Sequence, residues 1–232
     1  MNLERVKEHF ERDAPDYDTH ITHFVPYYRE QNAMMMKLLP FEGTASLRGL
    51  DLGAGTGALA EGVLRKYPLA EMTVFDLADG MMEAARARLS KYAGRAVFCK
   101  GDFARDDLGS GYDLILAGLS VHHLEDGHKR DLYRRIYHAL RPGGIFLSHD
   151  IIRGATGRLD AVYLRLWREY IRSMDEDDEA CMERYRAEDY PACVEDHLAW
   201  LRGAGFADVG CHWQRINFAI FGGQKNPSER EP

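Results

Sequence analysis

Residues Leu50 to Ala58 read L-D-L-G-A-G-T-G-A, an acidic residue ending an apolar run and then glycines at 53, 55 and 57. Glycines at a strand-to-helix turn admit positive φ and let a ligand approach the backbone, while the next helix offers free N–H groups at its N-terminus. The turn sits in a repeating pattern that limits the fold. Strand (Leu47 to Leu52), helix (Ala58 to Tyr67), strand (Met72 to Leu77), helix (Gly80 to Tyr92) and strand (Ala96 to Gly101) follow one another. Tyr112 to Gly118 reads as a further strand, Gly127 to Leu140 as a helix stopped by Pro142-Gly143-Gly144, and Ile145 to Ile151 as a fifth strand. Short strands alternating with helices predict an α/β fold with a parallel sheet.

The flanks break this rhythm. Residues 1–44 carry helical spacing twice, through Leu3, Val6 and Phe10 and again through Ala33, Met34, Leu38 and Leu39, which predicts an N-terminal helical cover. After Arg153-Gly154 the alternation stops, and Leu159 to Met174 reads as an aromatic-rich helix within a lid insertion spanning 154–190. The acids Asp175 to Glu179 read as a solvated face or as partners for a lid arginine. A helix (Val194 to Gly203) and two apolar strands, Val209 to Trp213 and Phe218 to Phe221, close the chain. The hinge between those strands is too short for a crossover helix, so they must be antiparallel. Residues 45–225 therefore read as one ligand-binding domain and 226–232 as a disordered tail.

Composition narrows the partners. Thirty basic against 37 acidic residues, net charge −7, give no field for a phosphate backbone, so no nucleic-acid partner is expected. Cys99, Cys181, Cys193 and Cys211 are scattered, with neither paired nor metal spacing, which fits reduced thiols in a cytoplasmic protein. No membrane association is expected, because no segment approaches the roughly 20 apolar residues of a span. The aromatic lid, with Tyr163, Trp167 and Tyr170, offers a surface suited to a homodimer contact or to a substrate cap.

Gly53, Gly55 and Ala58 satisfy a dinucleotide fingerprint, so the loop alone leaves NAD open. The tighter D-x-G-x-G-x-G string resembles the first motif of class I S-adenosylmethionine (SAM) dependent methyltransferases. Asp76 in T-V-F-D-L-A, Asp102 in K-G-D-F and the run L-R-P-G-G-I-F-L resemble that family at corresponding places. The resemblance spans about 45–223 and implies a Rossmann-like, mostly parallel seven-stranded sheet ending in an antiparallel hairpin. It implies a SAM site built from Asp51, Gly53, Ala54, Gly55, Thr56, Gly57, Asp76, Leu77, Met81, Asp102, Phe103 and Gly118. In that site Asp51 lies near the ligand's ammonium group, Asp76 takes the ribose hydroxyls, and Asp102 and Phe103 meet adenine. The opening H-F-E-R-D-A-P-D-Y-D resembles the segment that small-molecule methyltransferases fold over this pocket, with Tyr17 as the covering residue.

The implied reaction is methyl transfer from SAM to a small-molecule acceptor by in-line displacement, leaving S-adenosylhomocysteine. Positioning and exclusion of water supply much of such catalysis. His122 and His123 in L-S-V-H-H-L are the candidate catalytic bases, since histidine titrates near working pH. Asp150, Arg184 and Tyr185 join Tyr17 as candidate substrate contacts. His149 and Asp150 could complete a metal site with the two histidines, but neighbours on a strand point to opposite faces, so no metal is expected. Three stretches, I-Y-H-A-L-R-P-G-G, V-E-D-H-L-A-W-L-R-G-A-G-F and W-Q-R-I-N-F, are similar to carboxy-SAM synthase, which adds a carboxyl group from prephenate to SAM itself. On that reading Arg184 would hold the added carboxylate by two N–H bonds. A third reading is a non-catalytic module that binds SAM or NAD.

Overall fold

The computed structural model describes residues 10, 11, 14 and 16–228. The helical run expected through Leu3 and Val6, and the end of the tail at 229–232, lie outside the described residues. Two helices open the described chain, α1 (Tyr17–Phe24) and α2 (Tyr28–Leu38). Then come β1 (Arg48–Leu52), α3 (Ala58–Lys66), β2 (Glu71–Asp76), α4 (Asp79–Leu89), β3 (Ala96–Lys100), β4 (Tyr112–Gly118), α5 (Asp126–Ala139) and β5 (Leu140–Ile151). The chain ends with α6 (Gly157–Ser173), α7 (Asp178–Glu188), α8 (Val194–Gly203), β6 (Ala207–Arg215) and β7 (Phe218–Gln224).

The seven strands form one sheet in the order β3-β2-β1-β4-β5-β7-β6. Strands β1 to β5 run parallel, and β7 inserts antiparallel between β5 and β6. Strand order reverses between β1 and β4, and in open α/β sheets the ligand crevice lies beyond the carboxyl ends of strands at such a reversal. Alternation along the central strands feeds two cores. Ile115, Ala117 and Phe146 pack with α5 and α8, while Leu114, Leu116, Ile145 and Leu147 pack with α2, α3 and α4.

Two elements differ from their sequence reading. Strand β5 begins at Leu140, before Pro142-Gly143-Gly144, because Leu140 pairs with Tyr112 and the register then jumps to Leu114 and Ile145. The Pro-Gly-Gly segment is a bulge inside the strand, held by the Gly143 N–H on the Lys225 carbonyl and the Lys225 N–H on the Gly144 carbonyl. Helix α7 forms the second half of the expected helical lid and starts inside the acidic stretch that read as a solvated face. Asp177 caps it by accepting from the Glu179 and Ala180 N–H groups at 3.0 Å each.

Gly222 lies on β7 where an added Cβ would press on the Phe146 carbonyl and come within 2.9 Å of Leu147 Cδ2. Gly222→Ala should therefore cost about 1–3 kcal/mol through overpacking. Thermal unfolding should show this as a fall of about 5 °C in Tm.

Candidate functional site

The glycine turn does what its sequence requires. Gly53, Gly55 and Gly57 all have positive φ, and a Cβ on Gly53 would sit 2.5 Å from Ser120 Cβ. At Gly55 the Cβ position is open, with Met81 Sδ the nearest atom at 4.0 Å, so the backbone presents a cradle. Gly57 serves packing instead. It does not line the cleft, and its Cβ position faces Leu89 and Ala85 on α4.

The cleft above this turn is lined by Asp51, Gly53, Ala54, Gly55, Thr56, Asp76, Leu77, Met81, Asp102, Phe103 and Gly118, together with Phe10, Tyr17 and His149. Asp51 accepts from the Ala60 N–H at 3.0 Å through Oδ2, while its Oδ1 is buried without a partner. Burial is the main reason its carboxyl is pushed up to about 7, with Asp76 adding to the shift. An unsatisfied buried carboxylate facing a cleft fits a cationic group of a ligand. Asp76 accepts from Gly55 N–H at 2.7 Å and from Ala78 N–H at 2.9 Å, one on each oxygen. Each oxygen keeps a lone pair for a hydroxyl. Asp102 is oriented by the Ala104 N–H on its Oδ1 at 2.9 Å.

His149 and Asp150 part company across β5. Gln31 Nε2 donates to the Pro26 carbonyl at 2.8 Å, so its Oε1 accepts from His149 Nδ1 at 3.2 Å and fixes the imidazole tautomer. Burial pushes His149 down to about 4, and its Nε2 turns a lone pair toward Gly118, where an added Cβ would lie 2.6 Å away. Asp150 faces the other way. It lines neither cavity, and its carboxylate binds His122 Nδ1 from behind. The substrate contact read for Asp150 is thereby replaced by a contact with the imidazole.

A larger cavity of about 400 Å³ adjoins the cleft and shares Phe10, Tyr17, Leu119 and His123 with it. Its walls are mostly apolar and aromatic, including Ile21, Phe24, Val25, Ile151, Trp167 and Tyr185, with Arg184 lying 5.3 Å from the Phe24 ring centroid. The lid acids are engaged elsewhere: Asp178 with Arg168 and Arg172, and Glu179 with Arg168 and Arg186. Leu119 takes a left-handed φ of 51°, the bend that turns the chain from β4 into His122 and His123.

Asp189, at the end of α7, completes this corner. Its Oδ1 lies 3.0 Å from His123 Nδ1 and 3.7 Å from His122 Nε2. The Tyr190 N–H donates to the His122 carbonyl at 2.7 Å, and Lys129 Nζ donates to the Tyr190 carbonyl, which seats Asp189 against the imidazoles. Burial alone would lower His122, but the Asp150 and Asp189 carboxylates outweigh it and leave the imidazole raised. Burial would likewise raise both acids, and the neighbouring imidazole charge holds them below the usual carboxylate range. Sequence reasoning missed Asp189, because R-A-E-D-Y carries no motif and only the α7 fold-back brings it to the histidines.

The cover is tied down at both ends. Glu11 accepts from the Asp79 and Gly80 N–H groups at the start of α4, at 2.6 and 2.7 Å. On the lid side, Trp167 Nε1 donates to the Phe24 carbonyl and Tyr170 Oη to the Thr22 carbonyl, both at 2.6 Å. Phe10 and Tyr17 also line the cleft, whose volume is about 90 Å³.

Residues 28–181 match the family model of the O-methyltransferase domain. Carboxy-S-adenosyl-L-methionine synthase of Nautilia profundicola is 23% identical over 222 residues, 94% of each chain. Acetylserotonin O-methyltransferase of Rattus norvegicus is 38% identical over 119 residues, which are 50% of this chain and 27% of that one. Among solved structures, an O-methyltransferase family protein from Burkholderia thailandensis aligns with a TM-score of 0.70 at 20% identity, covering 95% of this chain and 63% of that one. Human N-acetylserotonin methyltransferase, solved with SAM, aligns with a TM-score of 0.63 at 22% identity over 93% of this chain and 56% of its own. The chain thus spans 63% and 56% of these two solved proteins, and their likeness is one of fold.

Proposed function

Because the chain belongs to the class I O-methyltransferase family, we propose that it transfers a methyl group from SAM to a hydroxyl of a small, largely apolar acceptor held in the larger cavity. The observation that carries this reading is the contact between two cavities, one lined by carboxylates suited to a nucleoside with a cationic group and the other walled largely by apolar and aromatic side chains, with His123 shared between them and His122 on the wall of the larger one. When bound, SAM supplies an electrophilic methyl on a sulfonium. Asp51, Asp76 and Asp102 would hold its ammonium, ribose and adenine, and Met81 and Phe103 would pack the ring. His122, its Nδ1 fixed by Asp150, is the group placed to take the acceptor's proton. Phe10, Tyr17 and the α6–α7 lid exclude water from the junction. The net charge of −7 and four unpaired cysteines support a cytoplasmic enzyme of metabolites, with no nucleic-acid partner. No described helix is long and apolar enough to cross a membrane.

Native mass spectrometry of the purified protein, with identification of any released molecule, followed by SAM titration and a panel of hydroxylated acceptors, tests the reading. SAM or its demethylated product in the released fraction supports it. A nicotinamide dinucleotide, or saturable SAM binding with no turnover on any acceptor, overturns it.

A second reading has its own support. The Nautilia profundicola synthase matches over 94% of each chain, and Arg184 lines the larger cavity. If this chain modified SAM itself, the released molecule would be heavier than SAM by a carboxylate, and Arg184→Ala would abolish that species.

Asp76→Ala tests the shared nucleoside site. It removes charge-assisted hydrogen bonds worth roughly 1.5–3 kcal/mol. Calorimetry should show a loss of SAM affinity of about ten- to hundredfold.

A further inference from the structure

His149 lines the nucleoside cleft from β5, and Gln31 on α2 holds its Nδ1 at 3.2 Å. The Gln31 amide has a fixed sense, because its Nε2 donates to the Pro26 carbonyl at 2.8 Å. Its Oε1 is therefore the acceptor, the proton of His149 stays on Nδ1, and Nε2 carries a lone pair. Burial pushes this imidazole down to about 4, so it is neutral at working pH. Nε2 has no hydrogen-bond partner among the described residues.

The sheet puts this lone pair on the face that Asp51 also uses. Leu50 and Leu52 pack with α5 and α8, so Asp51 between them turns to the opposite face, where it accepts from the Ala60 N–H of α3. His149 turns to that face too, against Gln31. Strand β4 lies between β1 and β5, and its Gly118 pairs with His149. An added Cβ at Gly118 would come within 2.6 Å of His149 Nε2 and 2.8 Å of Leu59 Cδ1, so the imidazole fills space that a side chain on β4 would take and reaches toward β1. The unpartnered oxygen of Asp51 and the lone pair of His149 are both acceptors in one cleft. A cation with several N–H donors satisfies both, whereas a carboxylate would be repelled by each.

We propose that His149 binds the cofactor directly, its Nε2 accepting an N–H of the SAM ammonium group beside Asp51. That role rests on the reading of the cleft as a SAM site. Asp51 supplies the charge, and the neutral imidazole supplies a second acceptor that fixes the direction of the amino-acid arm. Gln31 is then a positioning residue. By holding the proton on Nδ1 it decides that the cleft meets a lone pair and not an N–H, which the ammonium would repel.

The test uses the full-length chain with ¹⁵N-labelled histidine, titrated with SAM and, separately, with methylthioadenosine, which has the nucleoside and the sulfur but no amino-acid arm. Without ligand, His149 should show the nitrogen resonances of a neutral ring protonated on Nδ1. SAM should shift the Nε2 resonance as the lone pair takes up a hydrogen bond, and methylthioadenosine should leave it in place. In calorimetry, His149→Phe should lose about ten- to hundredfold in SAM affinity, the worth of a hydrogen bond to a charged group, while keeping methylthioadenosine binding within about twofold of the parent. Gln31→Met keeps the bulk and frees the ring, so its spectrum should show both tautomers and its SAM affinity should fall by a smaller factor. SAM affinity unchanged in His149→Phe, a loss shared equally by methylthioadenosine, or an Nε2 resonance that SAM does not move overturns the proposal. Should His149→Phe fail to fold, the resonance of the parent and the Gln31→Met variant decide it in the same way. A parent chain that binds neither ligand removes the SAM reading and this role together, whereas SAM binding that ignores His149 removes this role alone.

Discussion

His122→Gln should lower the turnover of methyl transfer by about 10²–10⁴-fold, the usual worth of a positioned proton acceptor, while leaving SAM affinity within about twofold of the parent. The asymmetry follows from where the side chain lies. His122 borders the larger cavity and does not line the nucleoside cleft, so its loss removes chemistry without touching the groups that hold the cofactor. Glutamine keeps similar bulk and a hydrogen-bonding end for Asp150, but it cannot take a proton. Kinetics on an acceptor found by panel screening, paired with calorimetry of SAM binding, would check it. A variant that keeps its turnover would show that positioning alone drives the reaction, and one that loses SAM binding would show that His122 supports the cleft.

How much of this was legible beforehand depends on how local the determinant is. The glycine turn, Asp51, Asp76 and Asp102 were readable because each sits at a strand end whose neighbours in sequence are its neighbours in space. The antiparallel end of the sheet was readable from the short Ile216-Asn217 hinge between β6 and β7. Non-local partners decided the rest. Leu140 reads as the end of a helix, but pairing with Tyr112 and the Lys225 bonds across the bulge make it the start of β5. Helix α7 opens on acids that look like a solvated loop, but Asp177 caps it, Asp178 pairs with Arg168 and Arg172 of α6, and Cys181 and Met182 pack in one cluster with Trp167 and Ile171. Asp150 was placed with the substrate because His149 and Asp150 cannot share a face and the sequence does not say which one turns toward which cavity. Gln31, far away in sequence, shows where His149 points, and His122 shows where Asp150 points.

Asp51 leads to the second large effect. Its carboxyl, pushed up to about 7 by burial, is substantially protonated at neutral pH in the ligand-free protein, yet the ammonium group of SAM favours its charged form. Binding below pH 7 must therefore release a proton, and affinity should fall by about 50-fold from pH 7 to pH 5. The ligand's own amino group stays charged across this window, since α-amino groups titrate near about 7.7–8.0. Calorimetry in buffers of different ionisation enthalpy would show the released proton directly. In Asp51→Asn the pH slope should vanish, and any slope that remained would belong to Asp76, whose carboxyl is also raised by burial. Stability carries the opposite sign. A carboxyl whose folded pKa lies above its unfolded value stabilises the fold below the unfolded pKa of 3.8, and that contribution is lost as pH rises through about 7. Ligand-free Asp51→Asn should therefore melt at a higher temperature than the parent at pH 8, with the gap closing toward pH 4. If the two melted alike at pH 8, the buried charge would have found a partner and the assignment of Asp51 to the ammonium would fail; a higher Tm joined to weaker SAM binding would show a carboxylate kept in place for its ligand at the expense of the fold.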